Sequence, residues 1–316
     1  SLMGRIVRAL RARETLFHDD ATNAYRLCNG EGDRVPGFVL DRYDHVAVMR
    51  LDGASLDAWA PRLAAPLLRA LAALGVDSLA LRVDPEQPKA SKLRRLVGKE
   101  PPDRLIVREH GMAMEVDLAR GQKTGAFLDQ RENRARVRTM ASGKKRVLNL
   151  YSYAGGFSLA AGLGGAAHVT SVDIAAGAHA SAQQSFRANG LDPSAHAFVT
   201  ADVFSFLEQE ARRGGKYDLI VSDPPSFAPN ERSKPRALAA YRRLHNAAAS
   251  VLAEGGTLCA ASCSSHVTAE DFVATLDDAS LGRADLRLCE LFGQPADHPT
   301  LPAWPEGRYL KLAVLA

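Results

Sequence analysis

The chain has 316 residues, of which 46% are hydrophobic and 24% are charged, and its formal net charge at pH 7 is +4. This length accommodates about two domains with a sizeable core, so a disordered chain and a mini-protein scaffold are excluded. No apolar run approaches the roughly 20 residues that a bilayer crossing needs, and residues 1–14 lack the apolar core of a signal peptide. We therefore expect a cytoplasmic protein without membrane association.

Four cysteines are present, Cys28, Cys259, Cys263 and Cys289. They form no C-x-x-C pair, and none has a histidine at the spacing of a metal ligand. The sequence therefore predicts thiols in a reducing compartment, with neither a disulfide framework nor a metal site.

The first third of the chain predicts a small α+β domain over residues 1–118. Residues 25–51 alternate apolar and polar side chains around turn signals, which indicates a strand hairpin. Leucines recur at helical spacing over residues 56–74, and Gly75 ends that helix. Three further strands are predicted at residues 78–83, 105–109 and 112–118. Residues 85–102 are basic and contain several prolines, so a loop is predicted there.

A different pattern begins at Arg146, where strands and helices alternate. The predicted strands are RVLNLY, HVTSVD, AHAFVT, YDLIVSD and GTLCAAS. Helical patterns separate them, the last running from Arg236 to a Gly-Gly stop at residues 255–256. This alternation predicts a parallel sheet with helices on both faces. Two final strands, DLRLCELFG and GRYLKLAVL, have no helix between them and predict an antiparallel edge hairpin.

The residues that follow the first three strands predict a cofactor site, because ligands of such sheets bind beyond the carboxyl ends of the strands. A glycine turn follows the first strand, Tyr151-Ser152-Tyr153-Ala154-Gly155-Gly156-Phe157. It lacks the G-x-G-x-x-G pattern of a pyrophosphate site. Asp173 ends the second strand and can accept hydrogen bonds from ribose, and Asp202 follows the third near an adenine position. Each signal alone is equally compatible with a plain turn, but together they favour S-adenosylmethionine.

The fourth and fifth strands end in candidate reactive groups. Asp223-Pro224-Pro225-Ser226-Phe227 is a rigid turn that projects a carboxylate, although two prolines can also simply stiffen a loop. Cys263 lies at the tip of the fifth strand and is a candidate thiolate nucleophile, whereas Cys259 lies deeper and is expected in the core. His266 is a neighbouring base or a surface residue, and we favour the latter.

Two basic clusters are candidate contacts for a phosphate backbone. Residues 120–146 hold nine Lys and Arg against two acidic residues, and residues 232–243 form the second cluster. Solvated helix faces explain either cluster equally well. The side chains selected as RNA contacts are Arg134, Arg138, Arg232 and Arg236.

Several motifs, in the right order, resemble those of the bacterial large-subunit rRNA 5-methylcytosine methyltransferase family. They are GDRVPGFVLDRY from Gly32, GQKTGAFLDQR from Gly121, YSYAGGF, SVD, DPPSF, SCS, DHP from Asp297 and PEGRYLK from Pro305. The resemblance implies a class I, Rossmann-like α/β methyltransferase domain over residues 119–316. Its sheet would be mostly parallel and seven-stranded, with the antiparallel edge hairpin. It also implies S-adenosylmethionine as the cofactor. The implied partner is RNA, with ribosomal RNA as the leading candidate.

The resemblance also implies roles for particular residues. The YSYAGGF turn would hold the methionine part of the cofactor, Asp173 its ribose and Asp202 its adenine. Cys263 would be the nucleophile, and Asp223 would orient the pyrimidine ring. The further cofactor contacts would be Thr124, Phe127, Gln130, Asp223 and Pro224, and the further substrate contacts Pro225 and Phe227.

One departure from the family keeps other functions open. Its members usually begin with an RNA-binding PUA domain, and this chain starts where that domain would end, so we expect a member that lacks it. The alternatives are N-methylation of a purine, methylation of a small molecule, and an idle RNA-binding protein. In DPPSF the aromatic residue comes one position later than in the D-P-P-aromatic signature of N-methylation. A homodimer also remains open.

Overall fold

The structure is a computed structural model that describes residues 1–17, 19–83 and 91–316. These residues form two compact units. The first comprises Ser1–Arg131 and Pro295–Gly307, and the second comprises Glu132–Gln294 and Arg308–Ala316. Residues 119–131, which the motifs predict in the second domain, lie in the first compact unit. In the described ranges, no helix has the length and apolar character needed to cross a bilayer.

The first compact unit is built on a five-stranded sheet. Its elements are α1, Leu2–Glu14; β1, Ala24–Asn29; β2, Phe38–Tyr43; β3, Val46–Leu51; α2, Ala60–Leu71; β4, Ser78–Arg82; β5, Leu93–Gly98; β6, Arg104–Glu109; and β7, Met112–Asp117. Strands β1 to β5 lie in chain order, and within that sheet only β3 and β4 run parallel. β6 and β7 form a separate antiparallel hairpin.

Two helices cover this sheet with apolar side chains. Ile6, Leu10 and Leu67 are buried in one core cluster together with Leu40 and Met49 of the sheet. The sequence pattern did not predict α1, because its apolar stripe is narrow and interrupted by arginines. Three- and four-residue spacing places that stripe on one face of the helix, which is the face that the sheet buries.

The predicted loop over residues 85–102 is wrong for part of its length. Its first residues lie outside the described part of the chain, and Leu93–Gly98 form β5, which pairs antiparallel with β4. β5 is an edge strand with Arg94 and Arg95 exposed. Charged side chains are common on edge strands, and they concealed the strand pattern.

A buried ion pair ties Pro295–Gly307 into the first unit. Arg131 donates to both carboxylate oxygens of Asp297, at 2.7 and 3.0 Å, and the backbone N–H of Arg26 donates to the same group at 2.9 Å. Burial alone would raise the pKa of Asp297, but His298 and Arg131 hold it well below its usual range. The DHP and GQKTGAFLDQR motifs are therefore joined by an ion pair between Asp297 and Arg131, and both side chains are buried.

The second compact unit holds the predicted seven-stranded sheet. Its strands are β8, Arg146–Leu150; β9, His168–Asp173; β10, Ala197–Thr200; β11, Tyr217–Ser222; β12, Leu252–Ser262; β13, Leu288–Phe292; and β14, Lys311–Leu315. The strand order is β10-β9-β8-β11-β12-β14-β13, and β14 runs antiparallel to both of its neighbours. The expected mostly parallel sheet with an antiparallel edge hairpin is confirmed.

One helix precedes these strands, and the other helices lie between them along the chain. In chain order the helices are α3, Arg131–Met140; α4, Gly156–Leu163; α5, Ala176–Ala188; α6, Val203–Arg212; α7, Lys234–Ser250; α8, Ala269–Val273; and α9, Asp278–Leu281. The helix predicted up to the Gly-Gly stop is too long, because α7 ends at Ser250 and β12 begins at Leu252. The apolar residues Val251 and Leu252 are both buried, so the hydrophobic pattern alone did not mark the boundary.

Candidate active site

The parallel strands of the second unit bring four strand ends to one edge of the sheet. Leu150 of β8 pairs with Val172 of β9 and with Ser222 of β11, and Ser222 pairs with Ala260 of β12. The chain order reverses between β8 and β11, which is the switch point where open α/β sheets bind ligands. The turns that follow β8, β9, β11 and β12 therefore share the ligand-binding edge.

The turn after β8 has a strained backbone. Tyr151 and Tyr153 adopt positive φ values of 56° and 45°, a region that costs non-glycine residues on the order of 1–3 kcal/mol. Gly155 has φ 76°, and a Cβ there would lie 2.5 Å from the Cβ of Ala182. Such strain persists where surrounding structure enforces it, typically at ligand sites.

Asp173 holds this turn from the neighbouring strand. Its Oδ2 accepts a hydrogen bond from the backbone N–H of Tyr153, and its Oδ1 accepts one from Ala175, both at 2.8 Å. Each carboxylate oxygen can accept a second hydrogen bond, and the side chain is partly exposed. Asp173 is thus fixed in place while keeping the capacity to accept from ribose hydroxyls.

Buried oxygen atoms at these strand ends fit a polar cofactor. Ser152 Oγ, Ser222 Oγ and Asn149 Oδ1 have no hydrogen-bond partner among the described residues. Leaving such atoms unpaired costs about 1–3 kcal/mol each, a cost that a bound polar ligand can offset. The Ser152 and Ser222 hydroxyls at the strand ends therefore keep unused hydrogen-bonding capacity, as a site for a polar ligand requires.

Asp202 lies two residues after the end of β10 and caps the N-terminus of α6. Its Oδ1 accepts from the backbone N–H of Ser205 at 2.9 Å, and its side chain is exposed. Burial raises the pKa of Tyr151 to about 12, and the negative charge of Asp202 adds to that shift. Asp202 thus acts electrostatically on the turn after β8, and its contact with adenine remains a prediction.

The turn after β11 adjoins the tip of β12. Pro224 is buried, and its carbonyl oxygen lies 3.9 Å from Cys263 Sγ, while Asp223 is partly buried and Pro225 is exposed. The Phe227 ring packs on Tyr241 with ring centroids 4.9 Å apart. The structure therefore brings the predicted nucleophile and the DPPSF turn together.

Cys263 differs from the other three cysteines in position. Cys28 and Cys259 are fully buried, and burial raises the pKa of each to about 12. Cys289 is exposed on β13, next to Leu288, which pairs with Leu315 at the end of β14 away from the strand tips. Cys263 alone combines partial exposure with the ligand-binding edge.

Several predicted site residues of the second unit are buried, among them Phe157 and Arg134. Phe157 is 6% exposed and packs in a core cluster with Val137 and Val169, so its side chain belongs to the core. Arg134 is 5% exposed, and a Cβ on Gly156 would lie 2.9 Å from its Cδ. The prediction of Arg134 as an exposed phosphate contact is corrected, because the side chain packs beside the turn after β8.

The other arginines selected as RNA contacts are at least partly exposed. Arg232 and Arg236 are exposed where α7 begins, and Arg138 of α3 is partly exposed. His266 is also partly exposed, with Nδ1 3.4 Å from Glu231 Oε2, as a surface histidine would be.

Three predicted cofactor contacts lie in the first unit. Thr124 is buried; its hydroxyl donates to Asp41 Oδ2 at 2.5 Å and lies 2.8 Å from Tyr43 Oη. Gln130 is buried as well, and Lys123 Nζ lies 4.5 Å from the centre of the Phe127 ring. The structure shows how Thr124 is anchored, and the cofactor contacts of all three remain predictions.

Tyr241 and Lys311 surround the tip of β12, and the sequence pattern gave neither a role. Tyr241 Oη donates to Ser262 Oγ at 2.9 Å, and Lys311 Nζ donates to the carbonyl oxygen of Ser264 at 2.6 Å. Lys311 could have been noticed as a charge inside an apolar strand, whereas nothing in the sequence near Tyr241 marks it.

The fold and this edge define a class of enzyme. A family model described as S-adenosylmethionine-dependent methyltransferase matches residues 77–306, and the chain belongs to that family. The protein is therefore an S-adenosylmethionine-dependent methyltransferase, with S-adenosylmethionine as its cofactor.

Individual relatives extend over nearly the whole chain. Ribosomal RNA large subunit methyltransferase I of Escherichia coli (strain SMS-3-5 / SECEC) is 38% identical over 314 residues, which cover 97% of this chain and 78% of that protein. A methyltransferase crystallised with SAH has a TM-score of 0.87 and 28% identity, over 98% of this chain and 80% of that one. An S-adenosylmethionine-dependent methyltransferase from Streptococcus mutans has the same TM-score and 27% identity, over 99% and 80%.

We expect Asp173→Ala to weaken S-adenosylmethionine binding by about 1–3 kcal/mol, the usual cost of removing a hydrogen bond to a charged group. Titration calorimetry measures the change. Asp192→Ala is the matched control, because Asp192 also accepts a backbone N–H, from Ser194 at 2.9 Å, but precedes β10 at the opposite edge of the sheet. Equal affinity in the two variants would remove Asp173 from the cofactor site.

Proposed function

We propose that this methyltransferase modifies ribosomal RNA at C5 of a cytosine, through a covalent bond between Cys263 and C6 of the base. The observation that carries the proposal is the partly exposed Cys263 at the tip of β12, beside the carbonyl of Pro224. The names of the curated relatives support ribosomal RNA as the substrate.

The chemistry explains why a thiol is needed. C5 of cytosine is a poor nucleophile until a thiolate adds to C6, which moves the electron pair of the C5=C6 bond onto C5. C5 then attacks the methyl group of the sulfonium, and S-adenosylhomocysteine leaves. A base removes the C5 proton, the double bond re-forms, and the thiolate departs.

Other residues at the edge would bind and orient the two substrates. The turn over residues 151–157 would hold the methionine part of the cofactor, Asp173 its ribose and Asp202 its adenine. Asp223 would orient the pyrimidine, with Pro225 beside it. Because β11 and β12 are adjacent and parallel, Asp223 and Cys263 can act on one ring.

N-methylation of a purine is less well supported. In that chemistry an aromatic side chain after the D-P-P turn stacks on the base, and no thiolate is needed. Here Phe227 comes one position late, and its partly buried ring packs on Tyr241 against a core cluster. A ring that already packs on Tyr241 is less free to stack on a base.

Arg232 and Arg236 are the best-placed candidates for RNA contacts. Both are exposed. Arg232 lies in the helical turn that runs directly into α7, and Arg236 lies in the first turn of α7, so their four-residue spacing places them on one side of the helix. α7 follows the DPPSF turn along the chain, so this end of the helix adjoins the ligand-binding edge. These two arginines replace the buried Arg134 in the proposed RNA surface.

We expect Cys263→Ala to abolish methyl transfer to RNA while leaving S-adenosylmethionine affinity nearly unchanged, because the thiolate bonds the base only during reaction. Transfer from labelled cofactor and calorimetry measure the two quantities, and nucleoside mass spectrometry identifies the product. Cys289→Ala is the matched control. Near-normal turnover by Cys263→Ala, or a methylated purine as product, would contradict the proposal.

Charge reversal at Arg232 and Arg236 should weaken RNA binding for many sequences alike. The slope of log affinity against log salt should become shallower by roughly 0.7–0.9 for each phosphate group that the protein no longer neutralises. Arg212→Glu with Arg213→Glu is the control, since this exposed pair ends α6 at the opposite edge. The same slope in both double variants would exclude Arg232 and Arg236 as phosphate-binding residues.

A further inference from the structure

Lys311 is a charged side chain buried where the fold does not require one. It is 3% exposed and stands at the start of β14, between Leu310 and Leu312. Its Nζ donates to the carbonyl oxygens of Ser264 and Val267, at 2.6 and 2.5 Å. Removing an ammonium group from water is costly, and two neutral carbonyls compensate for only part of that cost.

The position of Lys311 relates it to Cys263 in two ways. Its backbone pairs with Ser262, the residue before Cys263, and its Nζ binds the carbonyl of Ser264, the residue after it. Ser264 is held from a second side, because its hydroxyl donates to the carbonyl of Ala228 at 3.2 Å. The backbone on both sides of the thiol is therefore anchored.

Burial and two titratable neighbours set the charge state of Lys311. Burial lowers the pKa of Lys311 to about 8, and Cys263 and Asp271 partly oppose that shift. Asp271 is already paired with Lys234 at 2.7 Å. At neutral pH most of the Lys311 amines are protonated, so the positive charge is present when Cys263 must ionise.

We propose that Lys311 is a positioning residue for Cys263, whose buried ammonium group fixes the turn over residues 264–267 and favours the thiolate form of the cysteine. The proposal rests on the nucleophilic role proposed above for Cys263. When the thiol ionises, its proton goes to solvent, and the sulfur electron pair forms the bond to C6. Lys311 keeps its protons throughout.

The effect has a defined pH range. Below about pH 8 the Lys311 amine is protonated and lowers the energy of a nearby anion; above that value the charge is progressively removed. Replacing Lys311 by a neutral residue should therefore slow thiolate chemistry at neutral pH more than at alkaline pH.

The test measures alkylation of Cys263 by iodoacetamide as a function of pH, with peptide mass spectrometry on the whole chain. We expect Lys311→Gln, which keeps a donor without the charge, to slow alkylation at neutral pH by about tenfold and to move the profile to higher pH. Lys311→Arg, which keeps the positive charge at every pH, should be alkylated at the wild-type rate at neutral pH. The exposed Cys289 is an internal standard in every sample.

Lys216→Gln is the matched control, since Lys216 also donates to a backbone carbonyl, that of Ser250 at 2.7 Å, but is exposed and far from the strand tips. Lys311→Met replaces Lys311→Gln if the latter does not fold, as judged by thermal unfolding. The proposal is overturned if a neutral variant has the wild-type pH profile. It is also overturned if Lys311→Arg moves the alkylation profile to higher pH as far as Lys311→Gln does. The readout needs neither RNA nor cofactor, so it can fail or succeed independently of the proposed reaction.

Discussion

The hydrogen bonds that hold β8, β11 and β12 in parallel register are the constraint on which the site depends. They align Leu150, Ser222 and Ala260, so three turns far apart in the chain emerge at one edge. The right-handed connections of such a sheet place helices on its faces and leave this edge open. A strained glycine turn, a rigid Pro-Pro turn and a thiol thereby become neighbours.

The motifs outside that edge serve the architecture as much as the chemistry. Thr124 of the GQKTGAFLDQR segment is held by Asp41 and Tyr43, and Arg131 of the same segment is paired with Asp297. Buried pairs of this kind are weak evidence for added stability, because desolvation offsets much of the attraction. They do restrict how the segment can lie, since each charge must keep its partner.

Most of the second unit could be predicted from sequence because local and non-local preferences agree there. The strand HVTSVD, which ends at Asp173, is bounded by clear turn signals. The antiparallel hairpin at the edge of the sheet is predictable because no helical pattern separates its two strands. β5 was missed because an edge strand tolerates Arg94 and Arg95 on its surface. The end of α7 was misplaced because burial continues across Val251 into the next strand.

The candidate site was predicted in outline and missed in its supporting contacts. Strand ends can be recognised from composition, and Asp173, Asp223 and Cys263 follow from them. Burial cannot be recognised in the same way, so the sequence does not distinguish the buried Arg134 from a surface charge. The contacts of Tyr241 and Lys311 with the tip of β12 depend on the packing of α7 and the register of β14, which no local pattern encodes.

RNA that contains 5-fluorocytosine shows whether Cys263 forms a covalent bond with the base. Fluorine at C5 cannot be removed as a proton, so after methyl transfer the adduct should persist. With S-adenosylmethionine present, we expect a complex stable to denaturation, and mass spectrometry should locate the methylated base on the peptide that contains Cys263. If the RNA is bonded to another residue, Cys263 is not the nucleophile. If no complex forms, although the same RNA with unmodified cytosine is methylated, methyl transfer needs no covalent bond to the base.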